Sequence, residues 1–290
     1  MISLTVIGDV NVEINGSIDV PFSRIDHNIL DYGPLEMRIG GTAPNLAEAA
    51  AGRFSPIRVV GCVGSDELGT WAEHSLKKIG VDARLQHDPA LPTGLAVSIR
   101  DGTAPGGRRL LIVRSENANR MLDSAHITGN STALTQAGVF VTDGYSLLAE
   151  PRRGATLEAM RVAATAGAQV VVDVVPHDCY RLIDELELSK WLASAHVVVV
   201  EVRTMRRFFG LSTPPGDIDL SVALETLEHL QSIFRDRSFL LRFGVQEVSE
   251  SLVCQPDRKP IHRHIDFTGG RLSHNFGDVL TVDELTRYFF

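Results

Sequence analysis

Two glycines and an asparagine form the segment of this sequence whose residue types and spacing bear most directly on chemistry. Gly40 and Gly41 come directly before a helix-like stretch, and Asn45 lies in its first turn. Because glycine carries no Cβ, backbone amides there can approach a small polar ligand closely. The Asn45 amide can both donate a hydrogen bond to a hydroxyl group and accept one from it. The segment predicts a site for a hydroxylated ligand or, equally, a tight loop whose glycines serve packing.

A second polar cluster follows a strand-like run that ends at Asp173. His177, Asp178 and Cys179 come shortly after it. Loops that follow strands often carry functional side chains, and a solvated loop would have the same composition. The sequence leaves both interpretations open for this cluster.

Buried strands alternating with helices must position these residues. Several strand-like runs consist almost entirely of Val, Ile and Leu, which is typical of strands buried on both faces of a parallel sheet. The predicted strands are Ile2–Gly8, Ile57–Val63, Gly94–Arg100, Arg109–Val113, Gly138–Thr142, Gln169–Asp173, His196–Val200, Ser238–Phe243 and Val248–Cys254. The predicted helices are Asn45–Ala51, Glu67–Ile79, Glu150–Ala166 and Asp219–Arg235. This alternation predicts an α/β domain of three layers built from βαβ units.

Two segments interrupt the alternation and predict a small separate sheet. Residues 12–38 and 93–114 contain short alternating pieces and turn pairs such as Asn15-Gly16 and Asp101-Gly102. Such pieces suit antiparallel strands better than βαβ crossovers, so we interpret them as a β lid. The predicted organisation is one domain over residues 1–290, with a core of about 1–11, 39–92 and 115–290 and a lid of about 12–38 and 93–114.

Composition and charge limit the kinds of molecule that this protein is expected to bind. Hydrophobic residues make up 44% of the 290 residues, enough for a substantial core. Acidic residues outnumber basic ones 36 to 28, giving a formal net charge of −8 that argues against nucleic acid as the main partner. No apolar run approaches the roughly 18 residues of a membrane span. The three cysteines are far apart and the chain opens into a strand pattern with no basic leader, so we expect a cytoplasmic protein without disulfides.

The first half of the chain resembles the ribokinase-like (PfkB) carbohydrate kinases. The matching motifs are Gly40-Gly41-x-x-x-Asn45-x-Ala47, Val63-Gly64-Ser65-Asp66-x-x-Gly69 and Ile79-Gly80-Val81-Asp82. The resemblance implies a three-layer αβα ribokinase-like domain with a mainly parallel central sheet and a small β lid. It also implies that Glu13, at the place of a substrate-binding Asp in the family, contacts a sugar or nucleoside together with Gly40, Gly41 and Asn45.

The C-terminal signature of the family, Asp-Thr-x-Gly-Ala-Gly-Asp, shares features with Asp266–Gly270 and with Asn275–Thr281. The resemblance implies that Asp278 accepts the proton of the attacking hydroxyl. It also implies that the amides of Asn275, Phe276 and Gly277 cradle the moving phosphate at a helix start, where free N–H groups and the helix dipole favour anions. The alternative is that Asp278 only caps the helix.

The nucleotide side resembles the family less closely. Glu201 and Thr204 stand where members usually carry Asn-x-x-Glu, and Arg242 and Gly244 resemble the strand and turn before a nucleotide-side hairpin. The resemblance implies ATP and Mg²⁺ as cofactors, with Glu201 as the magnesium ligand, although Glu201 would equally suit a surface loop. It also implies a homodimer formed through the lid.

Departures from the family pattern keep a second hypothesis open. Asn275 replaces a glycine, the Asn-x-x-Glu motif is altered, and only a short segment follows Asp278. We therefore expect an ATP-dependent sugar or nucleoside kinase or, alternatively, a non-catalytic relative that binds a sugar or nucleotide.

Overall fold

A computed structural model describes residues 1–101, 109–245, 248–264 and 276–289. The strands within these ranges are β1 (Leu4–Ile7), β2 (Asn11–Ile18), β3 (Leu35–Gly40), β4 (Ile57–Gly64), β5 (Asp82–Asp88), β6 (Gly94–Asp101), β7 (Arg109–Val113), β8 (Val139–Asp143), β9 (Gln169–Asp173), β10 (Val197–Glu201), β11 (Ser238–Phe243), β12 (Glu250–Cys254) and β13 (Ile261–His264). The α-helices there are α1 (Thr42–Ala50), α2 (Glu67–Lys78), α3 (Ser124–Gly129), α4 (Ser131–Thr135), α5 (Arg152–Thr165), α6 (Glu185–Leu192), α7 (Val202–Phe208), α8 (Leu220–Ile233) and α9 (Phe276–Phe289).

The large sheet has the strand order β13-β12-β11-β10-β9-β8-β1-β4-β5. All neighbours from β11 to β5 are parallel, while β12 and β13 are antiparallel additions at one edge. Apolar clusters cover both faces: α1, α2 and α9 contribute to one cluster, and α3 to α8 to the other. The predicted α/β fold with a mainly parallel central sheet flanked by helices is confirmed.

The valine run of β10 shows why the sequence folds in this way. Val198 and Val200 pack into one apolar cluster, and Val197 and Val199 pack into the other. Successive strand side chains point to opposite faces, so a continuous apolar run fits a strand that is covered on both sides.

Strand β5 was not among the predicted strands. Its sequence, Asp-Ala-Arg-Leu-Gln-His-Asp, is polar because β5 is the edge strand of the large sheet and most of its residues are only partly buried. An edge strand needs little apolar surface, so periodicity alone does not reveal it.

A second sheet has the order β3-β2-β6-β7 and is formed from the two segments that interrupt the alternation. The predicted antiparallel pairing holds for β2–β3 and β6–β7. It is wrong for β2–β6, which pair in parallel. The chain passes through β3, α1, β4, α2 and β5 between these two strands, and such a long crossover allows parallel pairing.

Asp66 joins the start of β6 to the large sheet. Its carboxylate accepts hydrogen bonds from the Gly69 amide at 2.8 Å, as the N-cap of α2, and from the Thr93 amide at 2.8 Å. The Thr93 hydroxyl also accepts a bond from the Gly64 amide at 2.9 Å. A Cβ on Gly64 would lie 2.6 Å from the Thr93 nitrogen, so this motif fixes where the second sheet begins.

Within the described residues, no helix combines the length and apolar character that crossing a membrane requires.

Candidate active site

Four acidic side chains lie where the parallel strands end and α9 begins. Asp143 ends β8, Asp173 ends β9 and Glu201 ends β10, and the strand register places Asp143 beside Asp173. Asp278 lies in the first turn of α9. Ligands of open α/β sheets bind outside the carboxyl ends of the strands, so this edge is the candidate site.

Asp278 has the electrostatic properties of a general base. Burial and the nearby Asp173 carboxylate raise its pKa to about 7, against the opposing effect of Arg242 and a hydrogen bond with the Asn45 side chain. Asp278 is the third residue of α9 rather than the residue before the helix, so its carboxylate is not the N-cap. A carboxyl group that titrates near neutral pH can take a proton from a substrate hydroxyl.

Arg242 connects α9 to two strands of the large sheet. Its guanidinium lies 3.3 Å from Asp173 Oδ1 and 3.9 Å from Glu201 Oε1. It also donates to the Gly277 carbonyl at 3.3 Å and to Thr281 Oγ1 at 3.2 Å. The side chain is only 5% exposed, so in this structure Arg242 balances the charge of two carboxylates beneath the start of α9.

Glu201 is engaged by neighbouring side chains. His177 Nδ1 lies 2.7 Å from Glu201 Oε2, and the buried Thr204 also hydrogen-bonds to the carboxylate. Burial opposes ionisation of Glu201, but these bonds and Arg242 hold its pKa below the usual value. Glu201 is therefore a largely buried, ionised carboxylate held by these neighbours rather than a surface loop acid.

Gly244 follows β11 in a turn that requires glycine. Its φ is +80°, and a Cβ there would lie 2.2 Å from the Ser249 hydroxyl oxygen.

The other side of the candidate active site is formed by Gly40, Gly41, Glu13 and Asn45. Gly41, the N-cap of α1, has φ +91°, and a Cβ on it would lie 2.3 Å from the Asp9 carbonyl oxygen. A Cβ on Gly40 would lie 2.1 Å from the Glu13 carboxyl carbon. The Gly41 amide donates to Glu13 Oε1 at 3.3 Å. The glycines therefore allow Glu13 and the Asp9 carbonyl to pack closely against the start of α1, whose Asn45 hydrogen-bonds to Asp278.

The chain matches the model of the pfkB family of carbohydrate kinases over residues 1–247. It belongs to this family. Fructokinase-1 of Oryza sativa subsp. japonica is 35% identical over 136 residues, which cover 46% of this chain and 41% of that relative. The 5-dehydro-2-deoxygluconokinase of Lacticaseibacillus casei is 24% identical over 159 residues, covering 52% of this chain and 48% of the relative. Both alignments span less than half of the relative's length.

The fold of this pfkB family chain is also that of solved ribokinases. The structure of Arabidopsis thaliana ribokinase complexed with ribose and ATP superimposes with a TM-score of 0.71 at 17% identity, covering 99% of this chain and 86% of that one.

Two of the residues that were predicted to bind the phosphate lie at the start of α9. Phe276 begins the helix, and Gly277 follows it beside Arg242. Asn275 and residues 266–270 lie outside the described residues.

Several residues at the site of this pfkB family chain were not predicted. Arg152 is buried in α5 and forms an ion pair with Asp9 at 2.5 Å. Asp143 hydrogen-bonds to the Thr42 hydroxyl, and burial raises its pKa. A usable sequence signal existed for Asp143, because it ends an apolar strand as Asp173 does, and Asp173 was singled out from the sequence. Arg152 carries no such signal, since it is an ordinary arginine in a helical pattern until the fold buries it.

Proposed function

We propose that this chain transfers a phosphoryl group from ATP to a hydroxyl group of a sugar or nucleoside. The observation that carries the proposal is Asp278, which lies at the start of α9, hydrogen-bonds to Asn45 and has a pKa raised to about 7. Membership of the pfkB family supports it. Among the relatives, one is named a fructokinase and another a 5-dehydro-2-deoxygluconokinase, so the names point to more than one acceptor.

Each side chain has a defined task in this reaction. Asp278 accepts the hydroxyl proton as the oxygen attacks phosphorus, and Asn45 holds the hydroxyl beside that carboxylate. Gly277, which lacks a Cβ, leaves room for a phosphate at the start of α9, where the helix dipole favours negative charge. Arg242 lowers the pKa of Asp173 and of Glu201, opposing the burial that raises the pKa of both carboxyl groups.

The donor set fits ATP with Mg²⁺. Within the described ranges, no three His, Cys, Asp or Glu side chains are grouped so that they could hold a metal ion. Mg²⁺ is usually bound by one or two carboxylates together with substrate phosphates and water, and Glu201 is an ionised carboxylate at the edge of the site. Glu201, with Thr204 beside it, would hold the ion, and ATP·Mg²⁺ supplies the phosphoryl group when bound.

The test is an assay of ADP release with ATP·Mg²⁺ and a panel of acceptors: fructose, ribose, other hexoses and pentoses, sugar acids and nucleosides. We expect one acceptor class to give turnover well above ATP hydrolysis without acceptor, and phosphorus NMR to show the new phosphate ester. Binding of an acceptor without ATP binding or transfer, measured by calorimetry, would instead favour the non-catalytic alternative.

We also propose a cytoplasmic homodimer formed through the second sheet. One face of that sheet is apolar and exposed: the register places Leu35, Met37, Leu110 and Ile112 on the same side, each with 49% or more of its surface exposed. An apolar face of this kind is typical of a surface that another protein covers.

The dimer proposal predicts a change of mass for Ile112→Lys. Sedimentation equilibrium should give twice the 31.6 kDa chain mass for the wild type and a smaller mass for this variant, because a buried lysine opposes association. Leu186→Lys, at an exposed leucine of α6, is the matched control and should leave the mass unchanged. A monomeric wild type at micromolar concentrations would contradict the proposal.

A further inference from the structure

The second sheet also has a polar face, which is turned towards the site. Glu13 on β2 lies opposite Arg38 on β3, and Asn15 lies opposite Ser98 on β6, so the register places all four side chains on one face. This face contacts the site directly, because Arg38 donates to Asn45 Oδ1 at 3.0 Å and Glu13 accepts from the Gly41 amide.

Three buried donor atoms on this face have no hydrogen-bond partner among the described residues. They are Arg38 Nε, Asn15 Nδ2 and Ser98 Oγ. Buried polar groups are nearly always paired in folded proteins, so three unpaired donors on one face indicate a missing acceptor. The nearest carboxylate oxygen to Arg38 Nε, Glu13 Oε2, is 3.7 Å away, which is beyond hydrogen-bond distance.

Asn45 connects these donors to the reacting centre. Its carbonyl oxygen accepts from Arg38, and its side chain also hydrogen-bonds to Asp278. Arg38 therefore lies one side chain away from Asp278, within reach of an acceptor whose hydroxyl lies at that carboxylate. A guanidinium in that position pairs best with a planar anionic group.

We propose that the acceptor is a sugar acid whose carboxylate is bound by Arg38, with hydroxyl groups bound by Glu13, Asn15 and Ser98. This inference rests on the proposed function, because it assigns the substrate class of the same site. A carboxylate fits better than a phosphate. The Glu13 carboxylate lies 3.7 Å from Arg38 Nε, so a dianion bound there would meet more repulsion than a single carboxylate.

The test compares five- and six-carbon sugar acids with the corresponding alditols, such as gluconate with glucitol. Each alditol carries a hydroxymethyl group where its acid carries the carboxylate, and the remaining hydroxyl groups are the same. We expect the wild type to prefer a sugar acid, and Arg38→Gln to lower kcat/KM about 10- to 100-fold more for that acid than for the neutral partner, which loses only the Arg38–Asn45 bond. Arg109→Gln, at an exposed arginine on the same face of β7, is the matched control and should change neither.

A second variant should act in the opposite direction. Glu13→Gln removes the negative charge beside Arg38, so the preference for the sugar acid over the alditol should increase even if turnover falls. Equal losses for acid and alditol in Arg38→Gln, or a wild type that prefers neutral sugars or a hexose phosphate, would overturn the inference. Thermal unfolding of each variant shows whether it is folded before the comparison is made.

Binding measurements separate this inference from the kinase activity. Calorimetry without ATP should show that gluconate or another acid of the panel binds in an Arg38-dependent manner. Such binding without phosphate transfer to any acceptor would overturn the proposed activity and support the inference. Phosphate transfer to neutral sugars alone, unaffected by Arg38→Gln, would support the proposed activity and overturn the inference.

Discussion

The Asp278→Asn variant is expected to lose phosphate transfer by about 10²- to 10⁴-fold in kcat while it remains folded. Asparagine has the shape of aspartate and can keep the hydrogen bond to Asn45, but it cannot accept the hydroxyl proton. Steady-state ADP release with saturating acceptor measures the loss. Asp283→Asn, farther along α9, is the matched control and should retain activity, because Asp283 forms its ion pair with Arg53. Unchanged turnover in Asp278→Asn would remove Asp278 from the mechanism.

The same residue should control the pH dependence of the wild type. The pKa of about 7 means that kcat/KM should fall as the pH decreases through 7, because the protonated carboxyl group cannot act as a base. A flat profile between pH 6 and 8, measured at saturating ATP, would contradict this assignment.

Asp278→Asn should also stabilise the protein at neutral pH. The folded-state pKa of Asp278 is raised above its unfolded value, so its contribution to stability is fully present below the unfolded pKa and is lost as the pH rises to about 7. The advantage of the variant should therefore grow from about pH 4 to pH 7, reaching about 1 to 3 kcal/mol. Urea unfolding at pH 5 and pH 8 measures the difference. A variant less stable than the wild type at pH 8 would contradict the burial argument.

Replacing Arg242 with methionine should strongly destabilise the fold. The change leaves Asp173 and Glu201 buried without their shared cation and removes the bonds to Gly277 and Thr281 on α9. Breaking a buried ion pair on one side typically costs about 3 to 5 kcal/mol. The free energy of unfolding in urea measures the loss, and Arg207→Met, at an exposed arginine of α7, is the control.

Arg242→Lys distinguishes the charge of this residue from its geometry. Lysine keeps the positive charge but cannot reach Asp173, Glu201 and α9 together with a planar fork. We expect Arg242→Lys to be more stable than Arg242→Met but less stable than the wild type. Arg242 lowers the pKa of Asp278. The pH–activity profile should therefore shift to higher pH in both variants, and less in Arg242→Lys than in any folded Arg242→Met protein. A fully stable Arg242→Met protein would show that the carboxylates are neutral or otherwise compensated.

The site residues that could be identified from the sequence lie at the ends of helices and strands. Gly40, Gly41 and Asn45 stand out because glycine pairs and a polar first-turn residue are informative locally, and the family resemblance connected them with Asp278. The role of the glycines was left open between ligand approach and packing. The structure shows the packing directly, since Cβ atoms at both positions would collide with Glu13 and Asp9.

Arg38 and Arg152 could not be assigned functions in the same way, and Arg242 was placed on the nucleotide side by the family resemblance alone. Each is an ordinary cation within a strand or helix pattern, and its role depends on which acidic residue the fold places beside it. Those partners, Glu13, Asp9 and Asp173, are distant in sequence from the arginines that they meet.

The sequence by itself determined the α/β class, the parallel core and the glycine-rich start of α1, because these follow from periodicity and from the steric freedom of single residues. Only the tertiary structure decided the polar edge strand β5, the parallel β2–β6 pairing and the charge network around Asp278. The physical reason is the distance along the chain between the residues that determine each property. Burial patterns repeat along the chain and can be detected locally, whereas the pKa of a carboxyl group is set by charges that only folding brings within a few ångströms of it.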